Sequence, residues 1–161
     1  MVHILPHWNW EIHKSYQQVV DKYGDIPVRV YSNAGSVELF LNGKSQGRKT
    51  FQEKWTSDGR KYQEGEGSDQ LYLEWRLAYQ PGELHAVAYD RQGQIVAEDR
   101  VVTAGKPAKI GLYADKSQLE PDGQDLLYLY FDVLDKDGNW VPSASNQLHF
   151  KMEARARIVG V

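Results

Sequence analysis

The fold is decided by residues 26–43, which read IPVRVYSNAGSVELFLNG. Apolar and polar side chains alternate on both sides of a Ser-Asn-Ala-Gly turn cluster, and this period of two is typical of strands with one buried face. The stretch ends at Asn42-Gly43, where both residue types tolerate positive φ and therefore favour a tight hairpin. These residues predict two strands, followed by a return strand over residues 45–52.

The same alternation continues outward from this stretch, over residues 71–77, 84–89 and 95–103. Turn residues such as Pro81-Gly82 separate these runs, so about seven strands fit before Gly105. Short strands at this spacing are typical of an immunoglobulin-like sandwich.

Two stretches depart from the strand pattern. Glu11 to Tyr23 lacks a clean stripe with a period of 3.6 residues, and we interpret it as a loop with a short turn of helix. Residues 53–70 are polar and contain three glycines, which predicts a long loop with one short strand.

A joint at residues 104–107, Ala-Gly-Lys-Pro, precedes a new alternating region. It predicts strands over residues 108–112, 126–134, 147–153 and 157–161. This second unit is shorter than the roughly 100 residues that such a sandwich usually needs. We therefore predict an all-β chain of two tandem immunoglobulin-like sandwiches, 1–105 and 106–161. We expect the second to be truncated, with an exposed edge that supports a homo-oligomer.

Composition excludes several classes of protein. The chain has 161 residues, no cysteine and a net charge of −3, with charged residues making up 25%. Without cysteine it has no disulfide framework and no thiolate metal site. Its acidic balance argues against nucleic-acid binding, and it has no apolar run of about 18 residues that would cross a membrane. The first residues do not form a signal peptide.

Several motifs together resemble those of one enzyme family. Residues 3–10, HILPHWNW, are similar to the segment that leaves the catalytic barrel of bacterial β-galactosidases of glycoside hydrolase family 2. Residues 27–45 and 81–89 resemble the immunoglobulin-like domain that follows the barrel. Residues 106–110 and 133–139 resemble the invasin-like module that comes next.

The resemblance implies a parent enzyme that hydrolyses β-galactosides with two carboxylates on its barrel. No residue of this chain matches a catalytic motif of the family, so we expect the chain itself to be inert. The barrel would be its partner within the parent chain, no cofactor is implied, and the family setting suggests a periplasmic or extracellular parent.

Three tryptophans are the candidate site residues. Trp8 and Trp10 have the spacing that places two side chains on one face of an extended strand. Such a pair suits either a sugar platform or an interface with the barrel, and we favour the interface. Trp55, in the polar loop, is a candidate for ligand contact, although a tryptophan there more often folds back as a local lid.

No metal site is predicted. The segment 135–139, DKDGN, begins like a calcium loop, but the twelfth position is Asn146 where the EF-hand pattern requires Glu. We interpret it as a turn between strands. His3 and His7 would stand about 13 Å apart on a strand, too far to share one ion.

Three functional hypotheses remain open. The first is a non-catalytic accessory region that buttresses a glycoside hydrolase barrel and shapes the rim of its active site. The second is a carbohydrate-binding module that uses exposed tryptophans to bind an oligosaccharide. The third is a cell-surface spacer or adhesion domain. An exposed aromatic platform would favour the second, and an upstream barrel would exclude the third.

Overall fold

The computed structural model describes residues 1–10, 24–152 and 157–160, and these residues form strands without a helix. The all-β prediction is confirmed. The stretch from Glu11 to Tyr23 lies outside the described residues. The ten strands, in chain order, are β1 Val2–Leu5, β2 Ile26–Ser32, β3 Ser36–Leu41, β4 Lys44–Trp55, β5 Lys61–Gly65, β6 Leu73–Leu77, β7 Glu83–Tyr89, β8 Ile95–Val102, β9 Lys109–Ala114 and β10 Leu129–Leu134.

The first eight strands form two antiparallel sheets. One has the order β1-β2-β6 and the other the order β5-β4-β3-β7-β8. Consecutive strands β2 and β3 therefore lie in different sheets, as expected for a sandwich of the immunoglobulin type. Among the described residues, no helix is long and apolar enough to cross a membrane.

Alternating side chains build the core between the two sheets. Val28 and Val30 of β2 are buried while Arg29 between them is exposed, and Leu39 of β3 and Leu84 of β7 approach from the other sheet. Each side chain of this size contributes about 1.5–3 kcal/mol when it is fully buried. The sequence pattern and the packed core agree in this unit.

The Asn42-Gly43 turn joins β3 to β4 as predicted, with positive φ at both residues. The Asn42 side chain also closes the neighbouring turn, because its Oδ1 accepts the Glu83 backbone N–H at 2.9 Å and its Nδ2 donates to the Pro81 carbonyl. Gly82 has a φ of +136°, a conformation that favours glycine, and a Cβ there would displace the Asn42 amide that closes this turn.

The hairpin of β4 and β5 is longer than the sequence predicts. β4 continues to Trp55, and β5 forms within the stretch interpreted mainly as loop, with Phe51 opposite Gly65 and Trp55 opposite Lys61. Most side chains of this hairpin are solvated, so no apolar alternation marks it. Its backbone hydrogen bonds form regardless of that pattern.

The second unit contains one sheet, β9 paired with β10, in the part that the structure describes. Leu134 makes an isolated bridge to Trp140. The strand predicted over 147–153 is wrong for residues 147–152, and residues 157–160 are not in a strand either. An alternating run needs a backbone partner, and neither run pairs with any of the residues that the structure describes. The homo-oligomer stays a prediction.

Candidate functional site

Trp8 lies in the core of the first sandwich, with 0% of its surface exposed. Its indole Nε1 donates to the Gln80 carbonyl at 2.8 Å, and its ring lies 5.3 Å from that of Tyr79. Residues 6–10 are not in a strand, so Trp8 and Trp10 do not share a strand face. A fully buried indole offers no face to a sugar or to another domain, which removes Trp8 from the candidate set.

The backbone around Trp8 is fastened to the end of β8. The Thr103 hydroxyl donates to the Trp8 carbonyl at 2.6 Å, and Asn9 Oδ1 accepts the Ala104 N–H at 2.7 Å. The Asn9 side chain is buried and the Trp8 ring anchors the same segment. We call these four residues, Trp8, Asn9, Thr103 and Ala104, the N-terminal latch. They fasten residues 8 and 9 to the end of β8, while residues 2–5 are held by pairing with β2.

Trp10 is half-buried and packs against the same core from its edge. The His7 ring lies 5.3 Å from its indole, tilted by 32°. Trp10 therefore has part of its surface available at the latch end of the sandwich. Its role as a contact for a sugar or for the barrel stays a prediction.

Trp55 differs from both, because 65% of its surface is exposed. It is the last residue of β4, before a turn in which the Thr56 N–H donates to the Arg60 carbonyl at 2.8 Å. The Thr56 hydroxyl closes the same turn by accepting the Arg60 N–H at 2.9 Å. The indole is thus presented at the tip of an ordered hairpin, and its contact role also stays a prediction.

A buried carboxylate lies at the predicted joint, and the division into two units there stays a prediction. Asp135 is 2% exposed, and its carboxylate accepts the backbone N–H of Gly105 at 2.8 Å and that of Asn139 at 2.8 Å. The Asn139 side-chain amide donates to it as well, at 3.0 Å. These bonds, with that of Gly105 first, hold the pKa of Asp135 well below its usual value.

The segment 135–139 is a turn, as predicted, since the Asp135 N–H donates to the Asn139 carbonyl at 2.9 Å. Within the described ranges, no three histidine or acidic side chains come together as metal ligands. His3 instead lies 3.3 Å from Asp99.

Sequence reasoning missed Asn9 and Thr103, which hold the latch, and the bond from Asp135 across the joint. The signal for Asp135 was available, because aspartate at the start of a turn accepts backbone N–H groups two to four residues on. For Asn9 and Thr103 no local signal exists, because their partners are more than 90 residues away in sequence.

Two domain families match the chain. Residues 24–97 match a domain of unknown function, DUF4982, and residues 110–161 match the glycoside hydrolase family 2 C-terminal domain 5. The two matches fall on either side of the predicted joint.

Relatives match over most of the chain or all of it. The β-galactosidase BoGH2A of Bacteroides ovatus is 37% identical over all 161 residues, which cover 16% of its length. A β-glycosidase structure from Bacteroides vulgatus superimposes with a TM-score of 0.66 at 32% identity, covering 91% of this chain and 16% of that one. A glycosyl hydrolase family 2 structure from Bacteroides cellulosilyticus gives 0.62 at 31% identity, covering 87% and 18%. The chain therefore spans about one sixth of these proteins.

Proposed function

We propose that this chain, whose residues 110–161 match the glycoside hydrolase family 2 C-terminal domain 5, is the accessory region of a β-galactosidase-type enzyme. The region supports the catalytic barrel mechanically and contributes to the rim of the active site. It carries no part of the bond-breaking step, for which the parent uses two carboxylates on its barrel.

The N-terminal latch is the observation that carries this proposal. A chain arriving from a barrel through residues 3–10 is clamped by the buried Trp8 ring and by the Asn9 and Thr103 hydrogen bonds. Together with the pairing of β1 to β2, this clamp makes the segment an integral part of the sandwich. A segment that is fixed along its length to the sandwich can transmit support from the sandwich to the domain that precedes it.

Breaking the latch in the full-length enzyme tests the proposal. In Asn9→Ala the Ala104 N–H loses its acceptor, which costs about 1–3 kcal/mol when the group is buried. We expect a shorter half-life of galactoside hydrolysis on heating, with kcat of the unheated enzyme nearly unchanged. Asn146→Ala, at an exposed position, is the matched control and should behave as wild type.

The isolated chain supplies the second arm of this test. We expect no hydrolysis of a chromogenic β-galactoside by the 161-residue chain alone. Turnover by that chain, or an Asn9→Ala enzyme as heat-resistant as wild type, would contradict the accessory role.

A further inference from the structure

Asn42 is followed by a glycine on an exposed turn, and these are the conditions under which an asparagine side chain deamidates readily. The turn joins β3 to β4, and both Asn42 and Gly43 are exposed to solvent. Because glycine has no side chain, nothing shields the Gly43 backbone nitrogen from the Asn42 side chain. Asn42-Gly43 is also the only Asn-Gly pair in the sequence.

Deamidation at this pair is a reaction of the chain with itself and with water. The Gly43 backbone nitrogen loses its proton to a base in the solvent and attacks Cγ of Asn42. A bond forms between that nitrogen and Cγ, the bond from Cγ to Nδ2 breaks, and Nδ2 takes a proton from water and leaves as ammonia. Water then adds to one carbonyl of the five-membered imide and opens it to aspartate or isoaspartate. Nothing is oxidised or reduced.

In the folded chain, two hydrogen bonds hold the Asn42 side chain against the turn between β6 and β7. Its Oδ1 accepts the Glu83 backbone N–H at 2.9 Å, and its Nδ2, which is the leaving group, donates to the Pro81 carbonyl at 3.1 Å. The Asn42 backbone N–H donates to the Glu83 carbonyl at 2.9 Å. The side chain thus extends the ladder between β3 and β7 by one more bond. Rotation of Cγ towards the Gly43 nitrogen requires that both side-chain bonds break.

The backbone of the turn opposes ring closure as well. The φ angle is 51° at Asn42 and 75° at Gly43, and Leu41 pairs with Lys44, as in a two-residue hairpin turn of type I′. In such a turn ψ of the first central residue is about +30°, which places the Gly43 nitrogen near the Asn42 nitrogen and away from Cβ. A nearly planar five-membered ring requires the Gly43 nitrogen to eclipse Cβ. The turn must therefore open before the ring can close.

We propose that Asn42 is a deamidation site controlled by the fold. The hydrogen bonds to Pro81 and Glu83 keep it unreacted while the turn is closed, and opening of the turn releases it to react. Aspartate at this position keeps an acceptor for the Glu83 N–H, but it places a carboxylate oxygen against the Pro81 carbonyl where a donor stood. Isoaspartate also lengthens the backbone of the turn by one carbon atom. Either product weakens the contact between the two turns, and the proposal does not depend on the accessory role.

Mass spectrometry of the 161-residue chain during incubation at mildly alkaline pH tests the proposal. We expect Asn42 to deamidate roughly tenfold more slowly in the folded chain than in the same chain unfolded in urea, because two hydrogen bonds must break first. Chromatography of the digested chain separates the aspartate and isoaspartate products. This comparison needs no variant.

A pair of glycine variants tests the role of the hydrogen bonds in the folded chain. A Cβ at Gly82 would lie 1.8 Å from Asn42 Oδ1, so Gly82→Ala displaces the amide from its partners. Gly93→Ala is the matched control, because Gly93 also has a positive φ, 82°, but a Cβ there meets nothing within 4 Å. Both variants strain the backbone, and only Gly82→Ala displaces Asn42. We expect Asn42 to deamidate roughly tenfold faster in Gly82→Ala than in Gly93→Ala.

Two results would overturn the proposal. The first is deamidation of Asn42 in the folded wild-type chain at the rate measured in urea. The second is an equal rate of deamidation in Gly82→Ala and Gly93→Ala, with both variants folded by circular dichroism. If Gly82→Ala does not fold, the comparison of folded and unfolded wild type decides the question.

Discussion

The two units of this chain carry the same alternating pattern and bury it to very different degrees. In the first, Leu39 of β3 is 0% exposed at the centre of a five-stranded sheet. In the second, Leu112 of β9 is 63% exposed in a sheet of only two strands. Alternation specifies which face of a strand is apolar. Burial requires a second sheet to cover that face.

One face of the β9–β10 sheet is apolar and yet remains largely exposed. The register places Ile110 opposite Val133 and Leu112 opposite Phe131, so these apolar side chains lie together on one face. On the other face Tyr113 stacks on Tyr130, with ring centroids 5.8 Å apart. The apolar face has the composition of a sandwich core, while three of its members are exposed.

The largest expected effect comes from the core of the first unit. Trp8→Ala removes a fully buried ring and leaves a cavity, which typically costs about 3–5 kcal/mol. We expect a correspondingly lower free energy of unfolding, measured by circular dichroism in a urea titration. Trp140→Ala, at an exposed tryptophan, should change it by less than about 0.5 kcal/mol. Similar losses of unfolding free energy in Trp8→Ala and Trp140→Ala would contradict the difference in burial between the units.

Two leucines, one buried in the first unit and one exposed in the second, test the same difference in burial with identical side chains. Leu39→Ala should cost about 2–5 kcal/mol, because the side chain is enclosed on all sides. Leu112→Ala deletes the same atoms from an exposed position and should cost less than about 0.5 kcal/mol. The urea midpoints of the two variants provide the measurement. A large loss in Leu112→Ala would mean that the apolar face of β9 is covered in solution.

A smaller effect is expected at the joint between the units. Asp135→Ala removes the acceptor of the Gly105 and Asn139 N–H groups, so amide exchange at these residues should rise by roughly tenfold. Amide exchange followed by NMR at neutral pH is the measurement. Asp137→Ala, on the same turn with an exposed side chain, is the control. An unchanged rate of amide exchange at Gly105 in Asp135→Ala would refute the hydrogen bond from Gly105 to Asp135.

The stabilisation that Asp135 contributes at the joint depends on pH, and the lowered pKa gives its direction. Because the pKa of Asp135 is lowered in the folded state, its stabilisation is complete above the ordinary aspartate pKa, about 3.9. It is lost progressively as the pH falls below that value. The difference in melting temperature between wild type and Asp135→Ala should therefore shrink under acid. A difference that stays constant down to pH values well below 3.9, the ordinary value, would contradict this assignment.

Much of the fold could be predicted from short-range patterns. The alternation in β2 and β3 and the Asn42-Gly43 turn are local features, and the structure has them where the sequence places them. The hairpin of β4 and β5 was predicted only in part, because a solvated edge hairpin needs no apolar face. The strand over 147–152 was predicted from alternation and does not form, because none of the described residues pairs with it.

The candidate sites were harder to predict than the strands. Spacing alone placed Trp8 and Trp10 on one surface, whereas the structure buries the first and leaves the second at the edge of the core. Trp55 was proposed as a loop residue and is the exposed end of a strand. Burial depends on which distant segments pack nearby, and sequence spacing does not contain that information.

By itself, the sequence determined the strand class, the central turns and the resemblance to glycoside hydrolase family 2, because each depends on neighbouring residues or on motifs. Only the tertiary structure decided which tryptophan faces solvent, which residues hold the segment 3–10, and that Arg91 pairs with Glu53. The physical reason is distance along the chain. These contacts join residues far apart in sequence, and they form only when whole sheets pack together.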